Sequence, residues 1–334
     1  LIIPEEVDAV KSLVFFLICV TTLVHAYSVA LLITGEVAGN AIYEMMVAGA
    51  RRASQDFGFD VKIIEGGYNP ARWASLLTSL AASKSYDLIV TFTEGMPKNV
   101  ENTAKAFPNQ KFILMDALAP VLPNVYSVAF KDEEMAYLAG YFAALVTKSN
   151  MPRANEQLKI GMIAGDVYPA MMEKMKPAYE KGARDVEPNI QVFFSVVGSW
   201  ADPSKGAELA QVQYEQGVDV IFLVAGGSGM GAVRKAREMG RYVIGVDSNY
   251  IEKDPEVILA CALKHADKAI YEVLSKAVRN ELKFGTREVW GVREGMIGFT
   301  FDDPNYIKNV PEEIKSEMLR VYEKLKEGSI QPLP

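Results

Sequence analysis

Beyond residue 26 the chain alternates between short apolar runs and amphipathic stretches. YSVALLI (27–33), DVKII (60–64), DLIVTFT (87–93) and KFILMDA (111–117) read as strands. The stretches 43–57 and 71–84, and a segment around 98–106, carry apolar residues at helical spacing. VYSVAF (125–130) follows, then the apolar helix EEMAYLAGYFAALVTK (133–148) and a polar break, SNMPRANEQ (149–157). The pattern then restarts: KIGMIAG (159–165), IQVFFSV (190–196), DVIFLVA (219–225) and RYVIGVD (241–247) are strands with helices between them. ILACAL (258–263) and VWGVREGMIGF (289–299) are late strands, and a helix of mixed charge (312–326) closes the chain.

Strands of near-continuous Val, Ile and Leu, alternating with helices, predict parallel sheets covered on both faces. Two such βα halves predict two doubly wound lobes with a cleft between them. The expected division is 1–26 as a signal peptide or N-terminal anchor, 27–125 plus about 250–288 as lobe I, and 126–249 plus about 289–330 as lobe II. In sheets of this kind ligands bind beyond the carboxyl ends of the strands. That rule singles out 34–40, 93–96, Asp116, 166–168 (with Tyr168), 199–202, 226–231, 247–250 and Lys264.

Composition narrows the function. At 334 residues, half of them hydrophobic, the chain has material for two cores. A net charge of −7 with no basic stripe gives nucleic acid no footing. SLVFFLICVTTLVHA (12–26) is an uncharged apolar run after Lys11, ending in Val24-His25-Ala26, which suits a signal peptidase. It is short for a membrane span, so export is expected, to the periplasm or the cell surface, with the segment either cleaved or kept as an anchor. Ile18 precedes Cys19 where a lipoprotein box needs a small residue, so lipidation is not expected there. Cys261 is then the one cysteine left, and no internal disulfide is expected.

Of the two histidines, His25 falls in the presumed signal, and His265 alone builds neither a metal cluster nor a Ser-His-Asp triad. No Walker motif occurs. No metal, cofactor or catalytic constellation is expected. VAGGSGMGAV (224–233) follows a strand and opens a helix, and Asp247 ends the next strand, as in a dinucleotide fold. Yet the glycines fall at 226, 227, 229 and 231, which breaks GxGxxG. The alternative is a cleft that binds a small polar ligand unchanged. Gly226 and Gly227 would then bring bare backbone close to it, and Asp116 and Asp247 would accept hydrogen bonds. For these carboxylates turn capping competes with ligand binding; for Lys264 a snorkelling surface position does, and for Trp200 a core one. Asp202 and Pro203 form an N-cap and N1 pair that would hold Trp200 at a helix mouth, placed to stack on a flat ring.

Three stretches carry a family resemblance: EEMAYLAGYFAALVTKS, VGSWADPSKGAELAQVQYEQGVDVIFLVAGGSGMGAVRKA, and YVIGVDSNY followed by ALKHADKAIYEV. In these the chain resembles the BMP family of ABC-transporter substrate-binding proteins, which includes the purine nucleoside receptors. The resemblance implies an α/β type I periplasmic-binding-protein fold, with two doubly wound parallel-sheet lobes and three hinge crossovers. It implies a monomer that binds a purine nucleoside and delivers it to an ABC permease. A sensory receptor for another small polar ligand, such as a sugar, and an NAD-dependent enzyme are the alternatives. By the resemblance Asp247 holds the ribose, Lys264 is the cleft lysine and Asp116 contacts the base. Gly226 and Gly227 form the glycine turn and Trp200 is the stacking aromatic. The family pattern D-x-S-F-N after the first strand reads GEVAGNAIYE here. Asn40 supplies its amide, but its aromatic is missing; Phe92, Tyr43 and Tyr68 are the candidate substitutes.

Overall fold

The computed structural model describes residues 27–333, so the apolar run read as an export signal lies outside the described residues. The first half contributes β1 (Ser28–Ile33), α1 (Ala41–Phe57), β2 (Asp60–Glu65), α2 (Pro70–Ser83), β3 (Leu88–Phe92), α3 (Pro97–Ala106), β4 (Lys111–Met115) and β5 (Val125–Phe130). α4 (Asp132–Thr147) leads into β6 (Lys159–Ala164), α5 (Lys176–Val186), β7 (Gln191–Val196), α6 (Pro203–Glu215), β8 (Val220–Val224), α7 (Gly229–Met239) and β9 (Tyr242–Asp247). β10 (Ile258–Lys264), α8 (Ala266–Val278), β11 (Thr286–Trp290), β12 (Ile297–Phe299), α9 (Pro304–Asn309) and α10 (Glu312–Glu327) complete the chain.

Local chemistry explains the element ends. Asn40 caps α1 by accepting from the Tyr43 amide, and Gly58 ends that helix at a left-handed φ of 68°. Asp202 accepts from the Lys205 amide with Pro203 at the first position of α6, as the sequence predicts. In β1, Val29, Leu31 and Ile33 face one core, while Ala30 and Leu32 face another. Burial on both faces is why these strands read as unbroken apolar runs.

Two six-stranded sheets result, ordered β11-β5-β4-β3-β1-β2 and β12-β10-β9-β8-β6-β7. The first is parallel throughout; in the second, β12 runs antiparallel to β10. The observed lobe boundaries differ from the expected ones. β5 pairs with β4 in the first sheet, and β10 pairs with β9 in the second. The stretch 289–299, expected as one strand, breaks into β11 of the first sheet and β12 of the second, with Gly295 turning at φ 71° between them. Periodicity identifies a strand, but the neighbour it pairs with is chosen by long-range packing.

The chain therefore crosses between lobes after β5, after β10 and after β11, and the three crossovers are bonded to one another. The Lys131 amide donates to the Trp290 carbonyl at 2.9 Å, and the His265 amide to the Met296 carbonyl at 2.9 Å. The Val292 amide donates to Glu134 Oε2 at 2.7 Å.

α4 is buried on nearly all sides, against β8, β10 and β12 and against α5. The α4–α5 contact is backbone on backbone. A Cβ on Gly140 would stand 2.0 Å from the Tyr179 carbonyl oxygen, and one on Gly182 would stand 2.2 Å from the Tyr137 carbonyl oxygen. Overpacking of this kind costs about 1–3 kcal/mol. Gly140→Ala is expected to cost stability in that range, read by circular dichroism as a lowered melting temperature. An unchanged melt would show that the helices separate freely.

Candidate functional site

The strands of both sheets end on a shared cavity of about 400 Å³. Lobe I lines it with Thr34, Asn40, Tyr43, Tyr68, Trp73, Phe92, Thr93, Glu94 and Asp116; lobe II with Asp166, Tyr168, Trp200, Gly226 and Asp247. Lys264, at the end of β10 where the chain crosses over, completes it. A more open hollow of about 1100 Å³ lies at the opposite end of lobe II, lined by Arg153, Tyr242 and Glu317 among others. Tyr242 is the first residue of β9, so that hollow lies where strands begin. Ligands of such sheets bind where strands finish.

Strained backbone aims several of these groups. Thr93, Asp116 and Asp247 follow or end β3, β4 and β9 with φ of 90°, 57° and 65°. Left-handed conformations cost a non-glycine residue of order 1–3 kcal/mol and persist where surrounding structure enforces them. All three line the cavity. Asp116, for which turn capping is the alternative, instead pairs with a lysine; Asn40, expected only as a ligand contact, both caps α1 and lines the site.

Lys264 is the electrostatic centre. Its ammonium lies 3.1 Å from Asp116 Oδ1 in lobe I and 2.7 Å from Asp132 Oδ1 at the start of α4. The snorkelling alternative is thereby overturned: the residue is only 7 % exposed. Burial opposes its charge, but Asp116, Asp132 and Asp247 outweigh burial and hold its pKa well above the ordinary value. Desolvation raises the Asp116 carboxyl to about 7, against the pull of Lys264 and with Asp132 adding to the rise. Desolvation raises Asp247 as well, again against the pull of Lys264. Three carboxylates around one ammonium leave acceptor capacity for a ligand rich in N–H and O–H donors. Among the described residues, no grouping of three or more His, Cys, Asp or Glu side chains is arranged to hold a metal ion.

Trp200 faces the cavity from lobe II with Tyr168 6.1 Å away, ring to ring, at 46°. The indole is seated on glycine. A Cβ on Gly165 would stand 2.4 Å from the indole ring, and one on Gly226 would stand 3.5 Å from it. Gly226 lines the cavity, and its left-handed φ of 53° is what favours glycine there. Gly227 departs from expectation: it does not line the cavity and lies against the Trp200 carbonyl instead. On lobe I, Tyr43 and Phe92 meet edge to face at 5.8 Å and 84°. The Tyr43 hydroxyl lies 3.2 Å from Thr34 Oγ1. Across the cleft, the Ala170 amide of lobe II donates to Glu94 Oε2 of lobe I at 3.3 Å.

Sequence reasoning missed Asp132, Trp73, Met135 and Met175, all on helices rather than at strand ends. The acidic first turn of α4 (Asp132, Glu133, Glu134) on an otherwise apolar helix was the available signal for Asp132.

Removing one partner of a buried ion cluster costs about 3–5 kcal/mol, so Lys264→Met is expected to lose that much in denaturant titrations near neutral pH. Because the Asp116 pKa is raised on folding, from 3.8 to about 7, its protonation stabilises the folded state as pH falls through about 7. Without Lys264 the Asp116 carboxyl loses the pull that lowers its pKa and takes up its proton at a higher pH than in the wild type. The Lys264→Met deficit should therefore be largest in alkaline solution and shrink as pH falls toward about 7. A deficit independent of pH would exclude the carboxylates as its cause.

The cleft can be set beside known proteins. The profile described as "Bmp: ABC transporter substrate-binding protein PnrA-like" matches residues 26–331. The CD4+ T-cell-stimulating antigen of Listeria monocytogenes is 29% identical over 265 residues, which is 73% of this chain and 72% of that one. The ABC transporter nucleoside-binding protein BmpA of Lactococcus lactis is 27% identical over 267 residues, covering 75% and 72%. The crystal structure of an ABC transporter solute-binding protein from Aeropyrum pernix K1 superposes with a TM-score of 0.81 at 24% identity, over 91% of this chain and 92% of that one; this likeness shows the fold. The chain therefore belongs to the Bmp family of PnrA-like substrate-binding proteins of ABC transporters.

Proposed function

We propose that the cleft binds a purine nucleoside outside the cytoplasm and that the loaded protein hands it to a membrane permease. The observation that carries the reading is the convergence of Trp200, Asp116, Asp247 and Lys264 on one cavity lined by both lobes. A flat base stacks on Trp200, Asp116 accepts from base N–H groups, and Asp247 accepts from ribose hydroxyls beside Lys264. The Lactococcus lactis relative, named as nucleoside-binding, supports the same ligand class, and the apolar run at 12–26 supports export.

Hydrogen bonds to charged groups contribute roughly 1.5–3 kcal/mol each, and base–aromatic stacking about 1–3 kcal/mol. Three such bonds plus stacking, at the upper end of these ranges, total about 12 kcal/mol and leave about −8 kcal/mol, near micromolar affinity, after an association loss of about 4 kcal/mol. A ligand that touches both lobes only when they close shifts the open–closed equilibrium toward the closed form. The Glu94–Ala170 bond across the cavity mouth adds to closure. The closed form docks on the permease, and no bond in the ligand is made or broken.

Adenosine, guanosine or inosine at a hundredfold excess over Kd should add about 2.7 kcal/mol of stability in a thermal-melt screen. Small molecules extracted from the purified protein should be identified by mass spectrometry, since a retained ligand would mask the shift. A sugar that stabilises where no nucleoside does would overturn the reading. Asp247→Ala should abolish binding. Because it removes a carboxylate from the Lys264 cluster at a left-handed backbone position, the unliganded melt is recorded alongside. Asp247→Asn, which tolerates that backbone, should weaken binding with the fold kept. Base N–H groups require ionised Asp116, so affinity should fall as pH drops from about 8 to about 6, through its pKa of about 7. Calorimetric titration across that range checks the sign.

A further inference from the structure

The lobe I wall lacks the aromatic that the family resemblance leads one to expect beside Asn40. The residue before Asn40 is Gly39, at a left-handed φ of 78°, with no atom within 4 Å of where its Cβ would stand. Two of the three candidate substitutes are already engaged. Tyr43 and Phe92 are 7% and 3% exposed and packed edge to face against each other. The Tyr43 hydroxyl is tied to Thr34. Neither presents a free ring face.

Tyr68 differs on every count. It lines the cavity and is nevertheless 49% exposed. Its backbone is pinned on both sides. The β1–β2 ladder runs past the strand ends, with the Gly66 amide donating to the Ile33 carbonyl at 2.8 Å and the Gly67 amide to the Gly35 carbonyl at 3.1 Å. On the other side Asn69 caps α2, its Oδ1 accepting from the Ala71 amide at 3.1 Å. Trp73 Nε1 donates to the Gly67 carbonyl at 2.8 Å and braces the loop from behind. The Tyr68 ring lies across Gly35, where a Cβ would come within 2.8 Å of it. A rigid backbone carrying a half-exposed ring into a cleft is a preorganised stacking surface, which loses little freedom when a ligand settles on it.

We propose that Tyr68 is the lobe I stacking platform, so that the flat ring of the ligand is held between Tyr68 on one lobe and Trp200 on the other. The aromatic absent from the loop after β1 is replaced by one from the loop after β2. The inference rests on the nucleoside reading above. It adds a reason for lobe closure, since a ring gripped by two aromatics gains its second face only when the lobes meet.

The test is calorimetric titration of adenosine, guanosine and inosine into the wild type, Tyr68→Phe, Tyr68→Leu and Tyr68→Ala, with melts of each unliganded protein as the folding control. Because the ring is half exposed and lies outside the buried core clusters, all four should fold, with the melts recording any small loss from uncovering Gly35. Stacking predicts that Tyr68→Phe binds within about threefold of wild type, while Tyr68→Ala and Tyr68→Leu weaken binding roughly tenfold or more. A wild type that binds a nucleoside and a Tyr68→Ala that binds it equally would overturn this inference and leave the nucleoside reading standing. Equal losses in Tyr68→Phe and Tyr68→Ala would assign the effect to the hydroxyl and likewise overturn stacking. A wild type that binds no nucleoside would remove both the reading and the inference built on it.

Discussion

Everything in the cleft is organised around one buried ammonium. Lys264 ends β10 at the second crossover, and its charge is shared between Asp116 of lobe I and Asp132 at the head of α4. A lysine taken out of water must be paired, and here the pairs lie on both sides of the hinge. The same interaction that permits burial also sets how the lobes meet. Three carboxylates facing one ammonium leave the cluster short of positive charge, and burial then lifts the Asp116 carboxyl to about 7. The site is built as a set of acceptors waiting for donors.

That arrangement is stabilised from outside the site. The three crossovers are bonded to one another through the Lys131, His265 and Val292 amides, so the hinge is a single hydrogen-bonded unit rather than three independent strands of chain. Against this rigid centre the strand ends at Thr93, Asp116 and Asp247 hold left-handed backbone. Strain of that kind persists only where the surroundings over-determine it. The closely packed α4–α5 pair and the buried parallel sheets supply the surplus.

The two walls are made differently. On lobe II, the missing side chain of Gly165 gives the Trp200 indole its seat. Of the glycine-rich stretch VAGGSGMGAV, Gly226 lines the cavity, while Gly231 lets α7 approach the Pro203 carbonyl at the start of α6. Lobe I instead extends the β1–β2 ladder through Gly66 and Gly67 and carries Tyr68 outward on it. Both devices use missing side chains to place an aromatic surface.

The sequence alone determined the strands and helices, the two βα halves and the strand-end rule that led to Asp116, Trp200, Asp247 and Lys264. These are local properties: alternation and helical period follow from which faces are buried, and the Asp202–Pro203 cap is written in adjacent residues. Only the tertiary structure decided that β5 stays in the first sheet, that β10 joins the second and that 289–299 divides between them, because strand pairing is settled by contacts distant in sequence. It alone brought Asp132 to Lys264, 132 residues apart in number. It also separated Tyr68 from Tyr43 and Phe92, three aromatics alike in composition but not in exposure. Exposure depends on what the rest of the chain places over a ring, and no local pattern encodes that.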